Sequence, residues 1–328
     1  MNNFVLSIAI PAFNREKYIK RLLDGIRGEI NNNVEVFVSD NASTDNTNSM
    51  MSNEFPNITY YRNDKNLGAD GNFLECYKKA KGRYVWLVGS DDIITEGAIR
   101  RITDFIQEHI DDEIPLIFMN HNSFVGEYKG TKSCGKAYLN TDENDRLVDS
   151  KKELIDYAGR QLTFMSSFLV KKNQIDNIQD ITQFLNTNFI QTYCALEACK
   201  NSSQFGLIFY PCVSQDLTPD NSLFYKNYSK QFHVFGSCMY EVFVNYGSKV
   251  GFDKKQLKDK YFKGMCKIFI SWILKAKRNG DKDGMKVFWN EVFSNIRVYP
   301  LCWFTVIPVA LTPPVLAKLY YKIKRMTA

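Results

Sequence analysis

Apolar and polar residues alternate with two different periods along the first 120 residues. Short apolar, β-branched runs predict buried strands, and apolar residues that recur every three or four positions between them predict helices. We expect the first strand to stop at Pro11. The predicted strands are 4–10, 34–38, 58–61, 84–88 and 116–119. This alternation predicts an α/β fold with a mostly parallel sheet between helices, in which ligands bind beyond the carboxyl ends of the strands.

The rest of the chain follows other patterns. Residues 121–150 are polar and contain glycine, which predicts a loop, and residues 166–170 predict a strand. From about residue 225, three apolar stripes at helical spacing predict packed helices rather than a cofactor site. The stripes are Phe232, Phe235, Met239, Val242, Phe243 and Tyr246; Phe262, Met265, Cys266, Phe269, Ile273 and Leu274; and Met285, Phe288, Trp289, Val292, Phe293 and Ile296.

These patterns divide the chain into three predicted regions. Residues 1–224 form an α/β domain with two halves, 1–120 and 121–224. Residues 225–300 form a helical region, and residues 301–328 form a terminal segment. With 45% hydrophobic and 24% charged residues, the chain can bury a core, which excludes a disordered protein.

The cysteines and the first residues of the chain limit the possible classes of function. The eight cysteines include no CxxC pair, which argues against a zinc site. The first strand follows the initial methionine almost directly, so we expect no signal peptide, reduced thiols and a cytoplasmic location. The net charge of +6 is accompanied by no nucleic-acid-binding motif, so no nucleic-acid partner is expected.

Acidic residues lie at the carboxyl ends of two predicted strands. Asp91 and Asp92 follow the strand at 84–88, and Asp40 follows the strand at 34–38. Taken alone, Asp91 and Asp92 are typical of a cap for a helix near Thr95, and metal binding is the alternative. Asp45 stands just before the next predicted helix and is a better helix-cap candidate than Asp40.

Four ordered segments suggest a family. They read IAIPAFNREKYIKRLLDGI, VEVFVSDNASTDNT, RNDKNLGADGNF and GRYVWLVGSDD, and they cover about residues 4–100. In this order and spacing they resemble the family-2 glycosyltransferases with the GT-A fold, of the type that builds bacterial surface polysaccharides. The resemblance implies that residues 1–120 bind a nucleotide-sugar and that residues 121–224 face the acceptor.

The resemblance also implies a donor site. The turn Pro11–Asn14 would lie against the nucleotide base, and the Asp40 carboxylate would accept a hydrogen bond from the base edge. Gly68 permits a backbone conformation that other residues resist. The implied donor-binding residues are Pro11, Ala12, Phe13, Asn14, Glu16, Asp40, Gly68, Asn72, Ser90 and Asp91.

Two departures from the family pattern affect this site. Gly71 stands where an arginine usually precedes the asparagine, and Gly89 replaces the first acid of the Asp-x-Asp-Asp motif. A Mg²⁺ or Mn²⁺ ion, held by Asp91 with support from Asp92, would neutralise the charge on the leaving nucleoside diphosphate. One or two carboxylates plus phosphates suffice for such an ion.

Members of the family that invert the anomeric centre need a base to deprotonate the acceptor hydroxyl. The acidic pair that usually supplies this base is absent, which leaves Asp180 and Glu197 as candidates and His121 and His233 as alternatives. The segment 166–168 resembles the acceptor-side segment of relatives.

The C-terminal residues suggest contact with a membrane. Residues 301–317 carry no charge, and Pro308, Pro313 and Pro314 interrupt them. Thr312 is a candidate cap for a following helix whose apolar face and basic flanks suit the interface of an anionic membrane, although packing on the protein's own core is the alternative. The membrane-contacting residues would be Leu316, Lys318, Leu319, Tyr320, Lys322, Ile323 and Arg325.

Together these observations predict an inverting, metal-dependent glycosyltransferase at the inner face of the cytoplasmic membrane. It would transfer a sugar from a nucleotide-diphospho-sugar to a hydroxyl of a lipid-linked glycan. A nucleotidyltransferase is an alternative, but the loop after the first strand lacks the glycines and the phosphate-binding pattern that such enzymes need. A non-catalytic nucleotide-sugar-binding or scaffold protein is the second alternative.

Overall fold

A computed structural model describes residues 4–218 and 227–318 of the chain. The chain divides into two units, one of residues 1–218 with 249–252, and one of residues 219–248 with 253–328. The first is the α/β unit and the second is the helical unit.

The described part of the α/β unit contains a nine-stranded sheet in the order β3-β2-β1-β4-β8-β6-β9-β5, with β7 paired to β9. Strands β1 to β4 run parallel, β8 is antiparallel to β4 and β6, and β9 returns parallel to β6. The strands are β1 (Leu6–Ala12), β2 (Val34–Asp40), β3 (Thr59–Arg62), β4 (Tyr84–Leu87), β5 (Ile93–Ile94), β6 (Leu116–Phe124), β7 (Arg146–Val148), β8 (Phe168–Lys171) and β9 (Phe205–Asp216).

Helices flank this sheet, as the alternating pattern predicted. They are α1 (Glu16–Ile26), α2 (Thr47–Glu54), α3 (Gly68–Lys79), α4 (Ala98–Glu108), α5 (Lys151–Ala158), α6 (Lys172–Asp176) and α7 (Ile190–Ala198). The spacing of apolar residues in α1 places Ile19, Leu22, Leu23 and Ile26 in the core. The predicted α/β class is confirmed.

The first strand is longer than expected. It continues through Pro11 to Ala12, and Pro11 pairs in register with Ser39 of β2. Strand β4, on the other side of β1, pairs only as far as Ala9. Pro11 therefore lies beyond the end of β4, where the missing N–H of a proline disrupts no ladder with that strand.

The loop predicted for residues 121–150 was wrong at both ends. Strand β6 continues to Phe124, and β7 lies at Arg146–Val148. The polar residues of β6 hid the strand, because Asn120, His121 and Asn122 are buried despite their polarity. Asn120 donates hydrogen bonds from its side chain to the carbonyl oxygens of Leu139 and Phe209, at 3.1 and 2.7 Å.

The helical unit contains α8 (Tyr228–Gln231), α9 (Gly247–Lys249, at the border with the α/β unit), α10 (Lys254–Asn279), α11 (Lys282–Val287), α12 (Phe293–Ile296) and α13 (Pro300–Leu311). Three π-helical segments, Phe232–Cys238, Tyr240–Tyr246 and Phe288–Val292, interrupt the α-helical geometry.

The three apolar stripes meet in the core of this unit. Phe232, Phe269 and Phe288 represent one stripe each, and the ring of Phe232 lies 6.3 Å from that of Phe269 and 5.5 Å from that of Phe288. The prediction of packed helices is confirmed, although the first and third stripes are partly π-helical rather than α-helical.

Two expectations for the C-terminal residues were wrong. Pro308 lies inside α13, which buries Cys302, Val306, Ile307 and Ala310 on one side and so tolerates the lost hydrogen bond. Thr312 ends this helix rather than capping the next one, and its hydroxyl donates to the Pro308 carbonyl at 2.8 Å.

The predicted membrane segment lies only partly within the described residues. Leu316 and Lys318 are exposed, whereas Leu319, Tyr320, Lys322, Ile323 and Arg325 lie outside those residues. Among residues 4–218 and 227–318, no helix combines the length and the apolar character needed to cross a membrane.

Candidate active site

The loops after β1 and β2 lie side by side because Ala12 and Asp40 are register partners at the ends of these strands. Asn14 joins the two loops. Its backbone N–H donates to Ser43 Oγ at 2.8 Å, and its side-chain oxygen accepts from the backbone N–H of Thr44 at 2.7 Å. Asn14 holds a left-handed conformation, with φ 54°, which asparagine adopts more readily than most residues.

The other residues of the first loop differ in exposure. Pro11 and Ala12 are buried within β1, and the Phe13 ring is exposed. Glu16 begins α1, and its backbone N–H donates to Asp45 at 3.3 Å. Asp45 also accepts from the N–H and hydroxyl of Thr47 at the start of α2. It therefore bonds the first N–H of the helix as predicted, although Asn46 rather than Asp45 occupies the N-cap position.

The Asp40 carboxylate is fully buried at the end of β2, with protein donors on both oxygens. One oxygen accepts from the backbone N–H and hydroxyl of Ser43. The other accepts from the Tyr60 hydroxyl at 2.6 Å and from Arg62 at 3.0 Å. Arg62 is the partner nearest to solvent, because its side chain is 41% exposed.

The third loop is fastened to the end of β2 by amide side chains. Asn72 is buried in α3, donates to the Ser39 carbonyl at 2.9 Å and accepts from the Ser39 hydroxyl at 2.8 Å. Asn41 donates to the carbonyl of Gly68, which adopts φ +75°. The structure therefore gives Asn72 a supporting contact within the protein and confirms the backbone role of Gly68.

Gly89, Ser90, Asp91 and Asp92 form a tight turn after β4, in which the Asp92 N–H donates to the Gly89 carbonyl at 3.0 Å. The next residues form β5, and α4 begins only at Ala98, after Gly97. The helix-cap interpretation of Asp91 and Asp92 is therefore wrong. It failed because a short strand separates these acids from the helix.

Asp92 is only 4% exposed and joins two distant segments of the chain. Its carboxyl group lies 2.6 Å from Ser166 Oγ and accepts from the Asp216 N–H at 3.2 Å. Burial, with the neighbouring Asp91 carboxylate, raises the Asp92 pKa to about 8. Asp92 is thus mostly protonated at neutral pH, and its contacts are to the protein.

Asp91 is half-buried and lies near cationic side chains. Burial raises its pKa, and the positive charge of Arg15 opposes that rise. Arg21 of α1 donates to the Asp91 carbonyl and lies 3.2 Å from the Asp216 carboxylate. Arginine side chains from the first loop and the first helix therefore balance the acids at the end of β4.

Arg21, Asp70 and Asp216 were missed in the sequence. Asp216 ends β9, so the strand-end position that drew attention to Asp40 was available as a signal. Asp70, buried in α3, accepts from the backbone N–H groups of Asn188 and Ile190 at 2.9 and 3.3 Å at the start of α7. Arg21 carried no signal, because it is one of several cations on an amphipathic helix.

Gly89 stands at the position of the first acid of the Asp-x-Asp-Asp motif, and neighbouring carboxylates fill the space beside it. A Cβ atom at Gly89 would lie 2.8 Å from Asp92 Oδ2 and 3.1 Å from Asp91 Oδ1. The carboxylates of the next two acids thus fold back over this glycine. A larger residue at position 89 would require these two carboxylates to move.

The arrangement offers limited means to hold a metal ion. Within the described ranges, no group of three or more histidine, cysteine, aspartate or glutamate side chains has suitable geometry. Asp92 is committed to Ser166 and Asp216, which leaves Asp91 as the available carboxylate. The site fits an ion that shares its coordination with a bound diphosphate, and it does not form a complete protein cage.

The candidates for a catalytic base have local partners. Asp180 accepts from the Thr182 hydroxyl at 3.0 Å, and Glu197 of α7 pairs with Lys200, just after this helix, at 3.1 Å. His233 pairs with Glu291 in the helical unit. His121 is buried in β6, stacked on Tyr138 at 5.2 Å, and burial lowers its pKa to about 4. These described contacts link none of the four to Asp91.

Comparison with known proteins identifies the family. The model of Glycosyl transferase family 2 matches residues 7–169, about half of the chain. The chain belongs to glycosyltransferase family 2. Abequosyltransferase RfbV of Salmonella typhimurium is 29% identical over 198 residues, 56% of this chain and 58% of RfbV. The teichoic acid protein GgaB of Bacillus subtilis is 24% identical over 54% of this chain and 19% of GgaB.

This family-2 chain also resembles a solved structure along most of its length. The structure of S. aureus TarS 1-349 has a TM-score of 0.58 at 15% identity, and the match covers 97% of this chain and 91% of TarS 1-349. This likeness confirms the predicted GT-A fold. The match covers 58% of the length of RfbV and 19% of the length of GgaB, so this chain corresponds to only part of each relative.

The raised pKa of Asp92 predicts how stability depends on pH. Between the ordinary pKa of 3.8 and about 8, Asp92 keeps its proton in the folded protein but has lost it in the unfolded chain. The free energy of unfolding therefore falls as pH rises through this window. Asp92→Asn keeps both hydrogen-bonding positions but cannot titrate. Urea unfolding should therefore show a smaller loss of stability for Asp92→Asn than for the wild type from about pH 5 to about pH 8.

Asp104→Asn is the matched control, because Asp104 is an exposed acid of α4. It should follow the wild-type dependence. An equally steep loss of stability in Asp92→Asn and the wild type would contradict the assignment of this proton to Asp92.

Proposed function

We propose that this protein transfers a sugar, with inversion, from a nucleotide-diphospho-sugar to a hydroxyl of a lipid-linked glycan in bacterial polysaccharide synthesis. The observation that carries the proposal is the meeting of three loops at one edge of the sheet. The loops after β2, β1 and β4 follow neighbouring parallel strands, so Asp40, Asn14 and Asp91 lie at the same edge of the sheet. Membership of glycosyltransferase family 2 supports a donor site at this edge.

In the proposed donor site, the nucleotide base lies between Phe13 and Asp40. The exposed Phe13 ring offers an apolar face to the base. Arg62 is the exposed partner of Asp40, so a base N–H can replace it on the carboxylate oxygen. Tyr60 and Ser43 keep the carboxylate in position during this exchange.

The diphosphate of the donor would lie over the turn at Gly89–Asp92. Asp91 would hold a Mg²⁺ or Mn²⁺ ion there together with phosphate oxygens, and the ion would neutralise charge on the leaving group. Asp92 would support this turn from the interior of the protein and would not bind the ion directly. Its contacts with Ser166 and Asp216 hold the turn against β9 and against the segment before β8.

The names of relatives support the acceptor class. One relative is the GalNAc(5)-diNAcBac-PP-undecaprenol beta-1,3-glucosyltransferase of Campylobacter jejuni, 30% identical over 98 residues, 29% of this chain and 32% of that protein. TarS 1-349 has also been solved in complex with UDP-GlcNAc, with a TM-score of 0.57. We therefore propose a sugar nucleotide as donor and a glycan on a polyprenyl-diphosphate carrier as acceptor.

Exposed apolar side chains support a peripheral membrane location at the cytoplasmic face. Helix α13 exposes Leu301, Trp303 and Phe304, the last at 81%. Residues 318–328, KLYYKIKRMTA, follow in the sequence and hold four basic residues, Lys318 among them, and no acid. Apolar side chains flanked by positive charge suit the interface of an anionic membrane.

A non-catalytic sugar-nucleotide-binding protein is the second candidate. The observation that favours it is Gly89, whose space is filled by the carboxylates of Asp91 and Asp92, so the first acid of the family motif cannot be accommodated without rearrangement. Such a protein would bind the donor without turnover.

Substitution of Asp91 tests the proposed transfer. Asp91→Asn should lower the release of nucleoside diphosphate by roughly a hundredfold or more, since it removes the carboxylate that would share the ion with the diphosphate. The assay combines a panel of nucleotide sugars, Mn²⁺ and lipid-linked acceptors, and Asp104→Asn should retain wild-type turnover. Undiminished turnover in Asp91→Asn without a divalent ion would refute the metal role, and donor binding without any turnover would favour the second candidate.

Flotation with phosphatidylglycerol-containing vesicles tests the membrane contact. Phe304→Ser in the full chain should weaken vesicle binding by roughly ten- to a hundredfold, because burial of one large apolar side chain contributes about 1.5–3 kcal/mol. The control is Val125→Ser, which removes another exposed apolar side chain, this one from the α/β unit. Equal flotation of the wild type and Phe304→Ser would exclude α13 from the membrane contact.

A further inference from the structure

A cysteine and a histidine lie on the same side of the first π-helical segment. His233 and Cys238 are five residues apart, and Cys238 Sγ lies 3.5 Å from His233 Nε2. In an α-helix, residues five apart point in directions roughly 140° apart, because each turn takes about 3.6 residues. The wider π-helical turn, with its i→i+5 hydrogen bonds, brings them together.

Glu291, in the third π-helical segment, sets the chemistry of this histidine. Its Oε2 lies 2.6 Å from His233 Nδ1. An ionised carboxylate only accepts hydrogen bonds, so Nδ1 carries the ring hydrogen and donates a hydrogen bond to Glu291. In the neutral ring, Nε2 then presents its lone pair to the thiol of Cys238. The glutamate therefore orients the ring as an acceptor for the thiol proton.

Close packing holds the two π-helical segments in this arrangement. A Cβ atom at Gly236 would lie 2.3 Å from Val292 Cγ2, so glycine allows the segments to approach. The Gly236 carbonyl accepts from the Tyr261 hydroxyl at 2.9 Å and from Asn295 Nδ2 at 3.3 Å. The distance from Glu291 to His233 is thus set by packed, hydrogen-bonded backbone.

We propose that Cys238 is an activated thiol and a site of covalent modification by small disulfides and other soft electrophiles. His233 Nε2 takes the thiol proton, and Glu291 stabilises the resulting imidazolium. The Cys238 thiolate attacks one sulfur of a low-molecular-weight disulfide, forming a new S–S bond as the old one breaks. The other half of the disulfide leaves as a thiolate, which takes up a proton, so no external oxidant is required.

The other cysteines provide a contrast within the same chain. Burial raises the pKa of Cys76 to about 12 and that of Cys302 to about 11, and it also raises the pKa values of Cys194, Cys199 and Cys212.

The half-buried cysteines other than Cys238 have neutral partners. Cys134 lies 3.5 Å from Ser214 Oγ, and Cys266 lies 3.5 Å from Thr305 Oγ1. These two match Cys238 in burial class and in partner distance, but their partner is a hydroxyl rather than a base. A basic partner such as an imidazole increases the thiolate fraction by taking the thiol proton.

Alkylation of the folded, full-length chain tests this proposal. Brief exposure to iodoacetamide at neutral pH, followed by peptide mass spectrometry, gives a rate for each cysteine. Cys238 should react about tenfold faster than Cys134 and Cys266, because thiolate, not thiol, is the nucleophile. Comparable rates at the three residues would overturn the proposal.

Two variants separate activation from simple exposure. His233→Asn should lower the Cys238 rate to that of Cys266 while leaving the Cys266 rate unchanged, and Glu291→Gln should lower it part of the way. An unchanged Cys238 rate in folded His233→Asn would overturn the proposal. If the buried Cys76 also reacts, that variant has unfolded, and the ranking of rates in the wild type decides.

Discussion

The buried carboxyl group of Asp92 is the contact on which the candidate site depends. It lies in the turn after β4, yet its hydrogen-bonding partners are Ser166, just before β8, and the backbone of Asp216, at the end of β9. Placing a carboxyl group in this position is unfavourable unless it is neutral or well paired, which is why its pKa rises. Asp92 thereby holds Asp91 at the edge of the sheet, where Arg21 bridges to Asp216.

Local sequence patterns were sufficient to predict the strands and helices in the first half of the α/β unit. Buried strands, the apolar face of α1 and the acids at strand ends all follow from residues close together in sequence. The partners of those acids do not. Arg21 and Asp216 are 195 residues apart, so only the completed sheet brings them together. The end of β6 was missed for a similar reason, since Asn120 appears polar until its buried partners are known.

The helical unit shows a different limit of sequence patterns. Its apolar stripes predicted packed helices because burial sets the spacing of large side chains. The π-helical segments were not predicted, since an inserted residue shifts the helix register without changing composition. This shift is what aligns His233 with Cys238, so a thiol meets a base although an α-helical pattern would separate the two residues.

We propose that the carboxyl ends of β1, β2 and β4 form a nucleotide-sugar site. Titration calorimetry with cytidine, uridine, guanosine and thymidine diphosphate sugars tests it most directly. At least one sugar nucleotide should bind, Mn²⁺ should tighten this binding, and Asp91→Asn should abolish the effect of Mn²⁺. Absence of binding by every sugar nucleotide, with a folded wild-type protein and saturating Mn²⁺, would contradict it.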